Sequence, residues 1–185
     1  MIDATKKGAT DKMHATIEAL KHEFSTIRTG MASLSLLDDV KVDYYGSMSP
    51  LSQVATLSIP DGRTITIQPW ESKMIGPIER SILKSDIGIN PVNDGKLIRL
   101  NIPQLTEERR KELVKKAKKM SEDAKVGIRN IRRDANEALK KAQKEKTITE
   151  DDLKKGEQDI QKITDDFIKK VDEVLAHKEK EVMEV

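Results

Sequence analysis

Arg129, Arg132 and Arg133 place three guanidinium groups within a short stretch of chain. A guanidinium binds phosphate through paired N–H donors and stacks on planar rings. Lys111, Lys115, Lys118, Lys125 and Lys140 recur around the cluster. On a helix turning about 100° per residue, with Ile128 set to zero, all eight cations fall between about 40° and about 140°. Only Glu122 interrupts that sector. Like charges lined up on one stripe repel each other unless an anion neutralises them, so the chemistry expected is binding of a polyanion. The arginines favour RNA, where phosphate contacts and base stacking combine. The plainer alternative, a solvated helix face, mixes signs more evenly than this.

Other residue types offer less. Asp38-Asp39, Asp151-Asp152 and Asp165-Asp166 are sequence neighbours, which do not face each other on a helix, so no general acid/base pair is indicated. His14, His22 and His177 have no ligand-like spacing. The chain has no cysteine and no phosphate-cradling Gly-x-x-x-x-Gly-Lys loop, which removes thiol chemistry and that kind of nucleotide chemistry. No catalytic residue, metal or cofactor is expected, and the chain reads as a non-enzyme. Trp70 is expected in the core or at the edge of a small domain, and Gly127 and Gly156 where a neighbouring helix comes close.

Composition agrees with a helical frame. Of the 185 residues, 36% are hydrophobic, 36% charged and only 3% aromatic, so aliphatic helix seams must supply most of the burial and an elongated molecule is expected. The net charge of +2 hides a segregation: +1 over residues 1–29, −1 over 30–105, +7 over 106–146 and −5 over 147–185. No apolar run approaches the length of a signal core or membrane span, and a cytoplasmic location is expected.

The elements follow from periodicity. Ala9, Met13, Ile17, Leu20, Phe24 and Ile27 share one stripe of a first helix over residues 4–28, which Thr29-Gly30 should end. From Leu36 the period changes to two, with Val40, Val42 and Tyr44 on one side of a strand. Residues 46–50 read as a loop. Val54, Leu57 and Ile59 then form a strand whose hairpin partner, Arg63 to Ile67, follows the turn Pro60-Asp61-Gly62. A short helix from about Ser72 to Ser85 and a strand over Leu97 to Leu100 complete an α+β unit.

Thr106 caps a second helix running to about residue 145, with its seam at Leu113, Ala117, Met120, Ala124, Ile128, Ile131, Ala135, Leu139 and Ala142. Thr149 and Asp152 resemble a capping box that opens a third helix, with Leu153, Ile160, Ile163, Phe167, Val171, Val174 and Val182 along its seam. The fold class expected is α+β. Residues 1–29 and 106–185 make a three-helix bundle, and residues 30–105 an inserted β/α/β domain. The two chain crossings suggest a hinge.

Several motifs resemble, in order and over nearly the whole chain, the bacterial ribosome recycling factor family: STIRTGMAS at 25–33, YYG at 44–46, PLSQVA at 50–55, SDIGINP at 85–91, LTEERRKEL at 105–113 and IRNIRRDAN at 128–136. The resemblance implies an L-shaped, monomeric protein. It implies binding to the post-termination ribosome and, with elongation factor G and GTP hydrolysis, its splitting into subunits with release of mRNA and tRNA. It implies that the bundle lies on 23S ribosomal RNA of the large subunit through arginines matching Arg110, Arg129 and Arg132, with Arg28 a further candidate. Arg133, Lys125 and Lys118 join them from the stripe. The implied hinges are Thr29, Gly30 and Met31, and Pro103, Gln104 and Leu105. The family usually carries Arg where this chain has Met31, which puts in doubt an anionic contact there and pairing with a foreign elongation factor G. A helical adaptor that binds protein through its acidic third helix is the competing expectation. An enzyme acting on RNA is a third, for which no residue offers a mechanism.

Overall fold

The computed structural model describes residues 1–184 as two compact units, one comprising residues 1–29 with the chain from Thr106 onward, the other residues 30–105. The first unit holds α1 (Ile2–Ser25), α3 (Glu107–Lys144) and α4 (Glu150–Met183), all three in mutual contact as a bundle. The second holds six strands and α2 (Ile75–Lys84). Among the described residues no helix is long and apolar enough to cross a membrane.

The bundle core is built from the expected seams. Met13 of α1, Ile128 and Leu139 of α3, and Ile160 and Val171 of α4 are fully buried, each such side chain worth about 1.5–3 kcal/mol of burial. The capping devices also form. Thr106 accepts from the Arg109 backbone N–H at 3.2 Å. Thr149 and Asp152 exchange side-chain acceptors for backbone donors, each at 3.1 Å, which satisfies two orphan donors at the start of α4.

The first helix ends earlier than its apolar stripe suggests. Ser25 Oγ donates to His22 O and Thr26 Oγ1 to Glu23 O, both at 2.6 Å. These hydroxyls share the last carbonyls, and the Thr26 N–H bonds back only three residues, to Glu23 O at 3.1 Å, so the last turn tightens and the α-helix ends at Ser25, before Gly30 is reached. Ile27 is still buried, carried onto the core by one further tight turn in which its N–H bonds Phe24 O.

In the small unit, β1 (Lys41–Tyr44) pairs with β2 (Ser47–Pro50), so the segment read as a loop is a strand. It lacks apolar alternation because only its partner strand, and no core face, specifies it. Its two-residue turn has Tyr45 at φ 51° and Gly46 at φ 83°, the positive pair of a type I′ hairpin. Tyr45 bears that conformation with its hydroxyl on Glu71 at 3.0 Å.

A four-stranded antiparallel sheet runs in the order β3 (Ala55–Asp61), β4 (Thr64–Pro69), β6 (Ile98–Asn101), β5 (Pro91–Asn93). The three-residue β5 is too short to show a period and is absent from the sequence reading. Ile65, Ile67, Ile98 and Leu100 share one face and are fully buried in a core completed by Ile78 and Ile82 of α2. Trp70 lies at the sheet edge and is 63% exposed, its indole N–H donating to Thr56 Oγ1 at 2.9 Å. The polar ring nitrogen holds it outward and the core closes without it.

Candidate RNA-binding face

The basic stripe is displayed by the 38 residues of α3, about 57 Å of rigid rod. Thr106 caps that rod, and Glu107 and Glu108 in its first turn stand against its positive end. Packing then divides the stripe in two.

Its flank nearest the seam faces α4 and meets acids there. Lys125 Nζ lies 2.7 Å from Asp172 and 3.3 Å from Glu122, with only 15% of its side chain exposed. Its hydrogen bond to Asp172 holds the ammonium above the usual lysine range, against the opposing effect of burial. Lys118 approaches Glu179 at 3.4 Å and Lys140 approaches Glu157 at 3.6 Å. Arg132 donates to Gln161 Oε1 at 2.9 Å, and Gln161 in turn donates to Asp165 at 2.8 Å. On the other side of the bundle Lys6 and Asp159 make a matching pair at 2.9 Å. Much of the charge that needed an anion therefore finds one inside the molecule, and the segregation of +7 and −5 reflects complementarity between adjoining helices.

The outer flank is different. Arg129, Arg133 and Lys115 are exposed and, among the described residues, make no side-chain ion pair or hydrogen bond. Lys119 and Lys144 join them, at about 180° and about 160° on the same wheel, and are likewise exposed and unpaired among the described residues. The stripe drawn from sequence left out these two lysines. Their angles were readable, but the centre of the open face becomes apparent only once α4 covers the inner flank. Glu122 leans to Lys125, while Glu137, at about 180° on the same wheel, stays exposed in the row between Arg133 and Lys144. The open row spans from Lys115 to Lys144, about 44 Å along the axis.

The remaining candidates stand elsewhere. Arg110 is half-buried one turn into α3, and Arg28 is exposed just beyond α1. Thr29 is buried in the bundle unit and its Oγ1 donates to Glu181 at 3.3 Å. In the small unit Gly30 takes φ +59° and a Cβ there would stand 3.3 Å from Leu105 Cγ. Met31, Pro103 and Gln104 are exposed and Leu105 is half-buried. Among the described residues no group of three or more metal-ligating side chains comes together.

Fold and face together define a helical-bundle protein with an exposed cationic row on α3 and an inserted α+β unit. Residues 20–183 match the family model described as Ribosome recycling factor. The chain is 66% identical over 173 residues to the ribosome-recycling factor of Trichlorobacter lovleyi, covering 94% of each, and 58% identical over 177 residues to that of Caldicellulosiruptor bescii, covering 96% of each. It is similar to a solution structure of a ribosome recycling factor, with a TM-score of 0.77 at 38% identity over 100% of this chain and 98% of that one. It is also similar to a chain in models for the T. thermophilus ribosome recycling factor and the E. coli elongation factor G bound to the E. coli post-termination complex, with a TM-score of 0.63 at 43% identity and full coverage of both. The chain belongs to the ribosome recycling factor family.

Proposed function

We propose that the chain binds the post-termination ribosome and, with elongation factor G and GTP hydrolysis, splits it into subunits without making or breaking a bond itself. The family match carries this reading, and the open cationic row on α3 supplies its physics. We assign contact with 23S ribosomal RNA of the large subunit to Arg129, Arg132 and Arg133, with Arg110 and Arg28 both toward the end of the bundle where α3 begins. Lys118 and Lys125 serve first to hold α4, and Lys115, Lys119 and Lys144 extend the RNA-facing surface. A monomer in the cytoplasm, hinged at Thr29 to Met31 and Pro103 to Leu105, fits the two-unit division of the chain. The adaptor reading loses ground because Asp159, Glu157, Asp172 and Glu179 already face lysines within the bundle.

The test is splitting of purified post-termination ribosomes by the pure protein, with and without elongation factor G and GTP. Acceleration that requires all three components is expected. No acceleration with any compatible elongation factor would overturn the reading.

A further inference from the structure

The tip of the β3–β4 hairpin touches both stretches of chain that lead out of the small unit. Gly62 O accepts from Ala32 N–H at 2.8 Å on the first stretch, and Arg63 O accepts from Ile102 N–H at 2.8 Å on the second. The Arg63 side chain reaches further along the second stretch. Both of its terminal nitrogens donate to the Gln104 side-chain oxygen, one of them at 3.1 Å, once the amide is oriented so that its oxygen meets the donors. The turn itself is braced. Asp61 accepts from the Arg63 backbone N–H at 2.9 Å and from Thr64 Oγ1 at 3.2 Å.

We propose that Arg63 is a positioning residue, a clasp that ties Gln104 to the small unit and thereby sets how many residues of the second crossing are free to turn. All of its contacts lie within the small unit, so the geometry does not depend on where the bundle sits. On the first crossing Thr29 is held by Glu181 and Ala32 by Gly62, which leaves Gly30 and Met31. On the second, Ile102 is held by Arg63 O, and α3 begins its cap at Thr106. With the clasp closed only Leu105 is loose between Gln104 and Thr106. With it open, Pro103 and Gln104 are loose as well. A guanidinium suits the task because a bidentate donor fixes direction as well as distance. The contact is also exposed enough to open at little cost, as a clasp that must yield under load requires.

This inference rests on the reading that the two units move relative to each other during splitting, but its test does not need the ribosome. The chain has no native cysteine, so Lys84→Cys and Lys154→Cys, both exposed and one on each unit, accept spin labels without background. Dipolar distance distributions of the full chain are then compared. Arg63→Ala and Gln104→Ala should each broaden the distribution, by up to about 1.7-fold on the square-root scaling for one free residue of the second crossing becoming three, with the first crossing unchanged. The double variant should be no broader than either single, and Gln104→Glu, which keeps the acceptor, should restore the native width. Amide protection at Ile65 and Ile67 reports whether the sheet of Arg63→Ala is intact, and Gln104→Ala provides a second reading from an exposed position. Unchanged widths in both single variants, or additive broadening in the double, would overturn the proposal. Failure of the native chain to split ribosomes would defeat the recycling reading and leave the clasp to be judged on the widths alone.

Discussion

Arg129 and Lys125 lie four residues apart on one helix and have different work to do. Arg129 has no internal partner among the described residues, so a bound phosphate costs it no existing contact. Lys125 would have to abandon Asp172. Replacing Arg129 or Arg133 by Ala should weaken ribosome binding and flatten its dependence on salt by about one unit of log–log slope each, read by co-sedimentation over a salt series. Lys125→Met should leave that slope unchanged and lower stability modestly. Because Asp172 is 55% exposed, solvent screening holds the coupling in a Lys125/Asp172 double-mutant cycle to about 0.5 kcal/mol. A wheel ranks residues by angle, but it cannot say which angle another helix will cover: Lys140, at about 120°, meets Glu157, while Arg129, at about 100°, stays open. The division of the stripe therefore had to come from packing.

Among the elements, two helical glycines both face a neighbouring helix, one much more closely than the other. A Cβ at Gly156 of α4 would stand 2.8 Å from Leu139 Cδ1, inside a core where Leu139 is fully buried. At Gly127 of α3 the nearest atom, Thr16 Cγ2, is 3.7 Å away, an ordinary contact. Gly156→Ala should destabilise the bundle by about 1 kcal/mol, overpacking outweighing the gain in helix propensity. Gly127→Ala should stabilise it by about 0.5–1 kcal/mol. Thermal unfolding of the two variants against the parent decides both signs.

The cap of α4 adds a pH dependence. Hydrogen bonds with Thr149, side chain first and backbone second, hold the Asp152 carboxyl below its ordinary value. A carboxylate depressed in the folded state contributes stability that is fully present above its ordinary value of about 3.9 and is lost as pH falls through the folded value. Amide protection factors in the first turn of α4, corrected for the slower intrinsic exchange at acid pH, should therefore fall below about pH 4, and Asp152→Asn should largely remove that acid limb. The helix caps, helix seams and long hairpin were legible because each is a local pattern of a few residues. The strands β2 and β5 were not, since short polar strands exist only through their partners.

For the molecule as a whole, the position that the family resemblance singles out for test is Met31, 43% exposed on the first crossing. Met31→Arg should change splitting rates selectively, raising them with some elongation factor G partners more than others while leaving Arg129-dependent ribosome binding intact. Identical rates for parent and variant with homologous and heterologous factors would show that position 31 carries no such contact.

Periodicity, capping residues and turn signals along the chain were enough to establish three long helices, an inserted α+β unit and a cationic rod, because helix and hairpin physics acts over a few neighbouring residues. The packed molecule was needed to learn which cations are already neutralised, why Trp70 stands outward, why α1 stops at Ser25, and that Arg63 meets Gln104 across 41 positions of sequence. Those outcomes turn on which side chains approach once the elements close on one another, and contacts of that range leave no periodic trace in the chain.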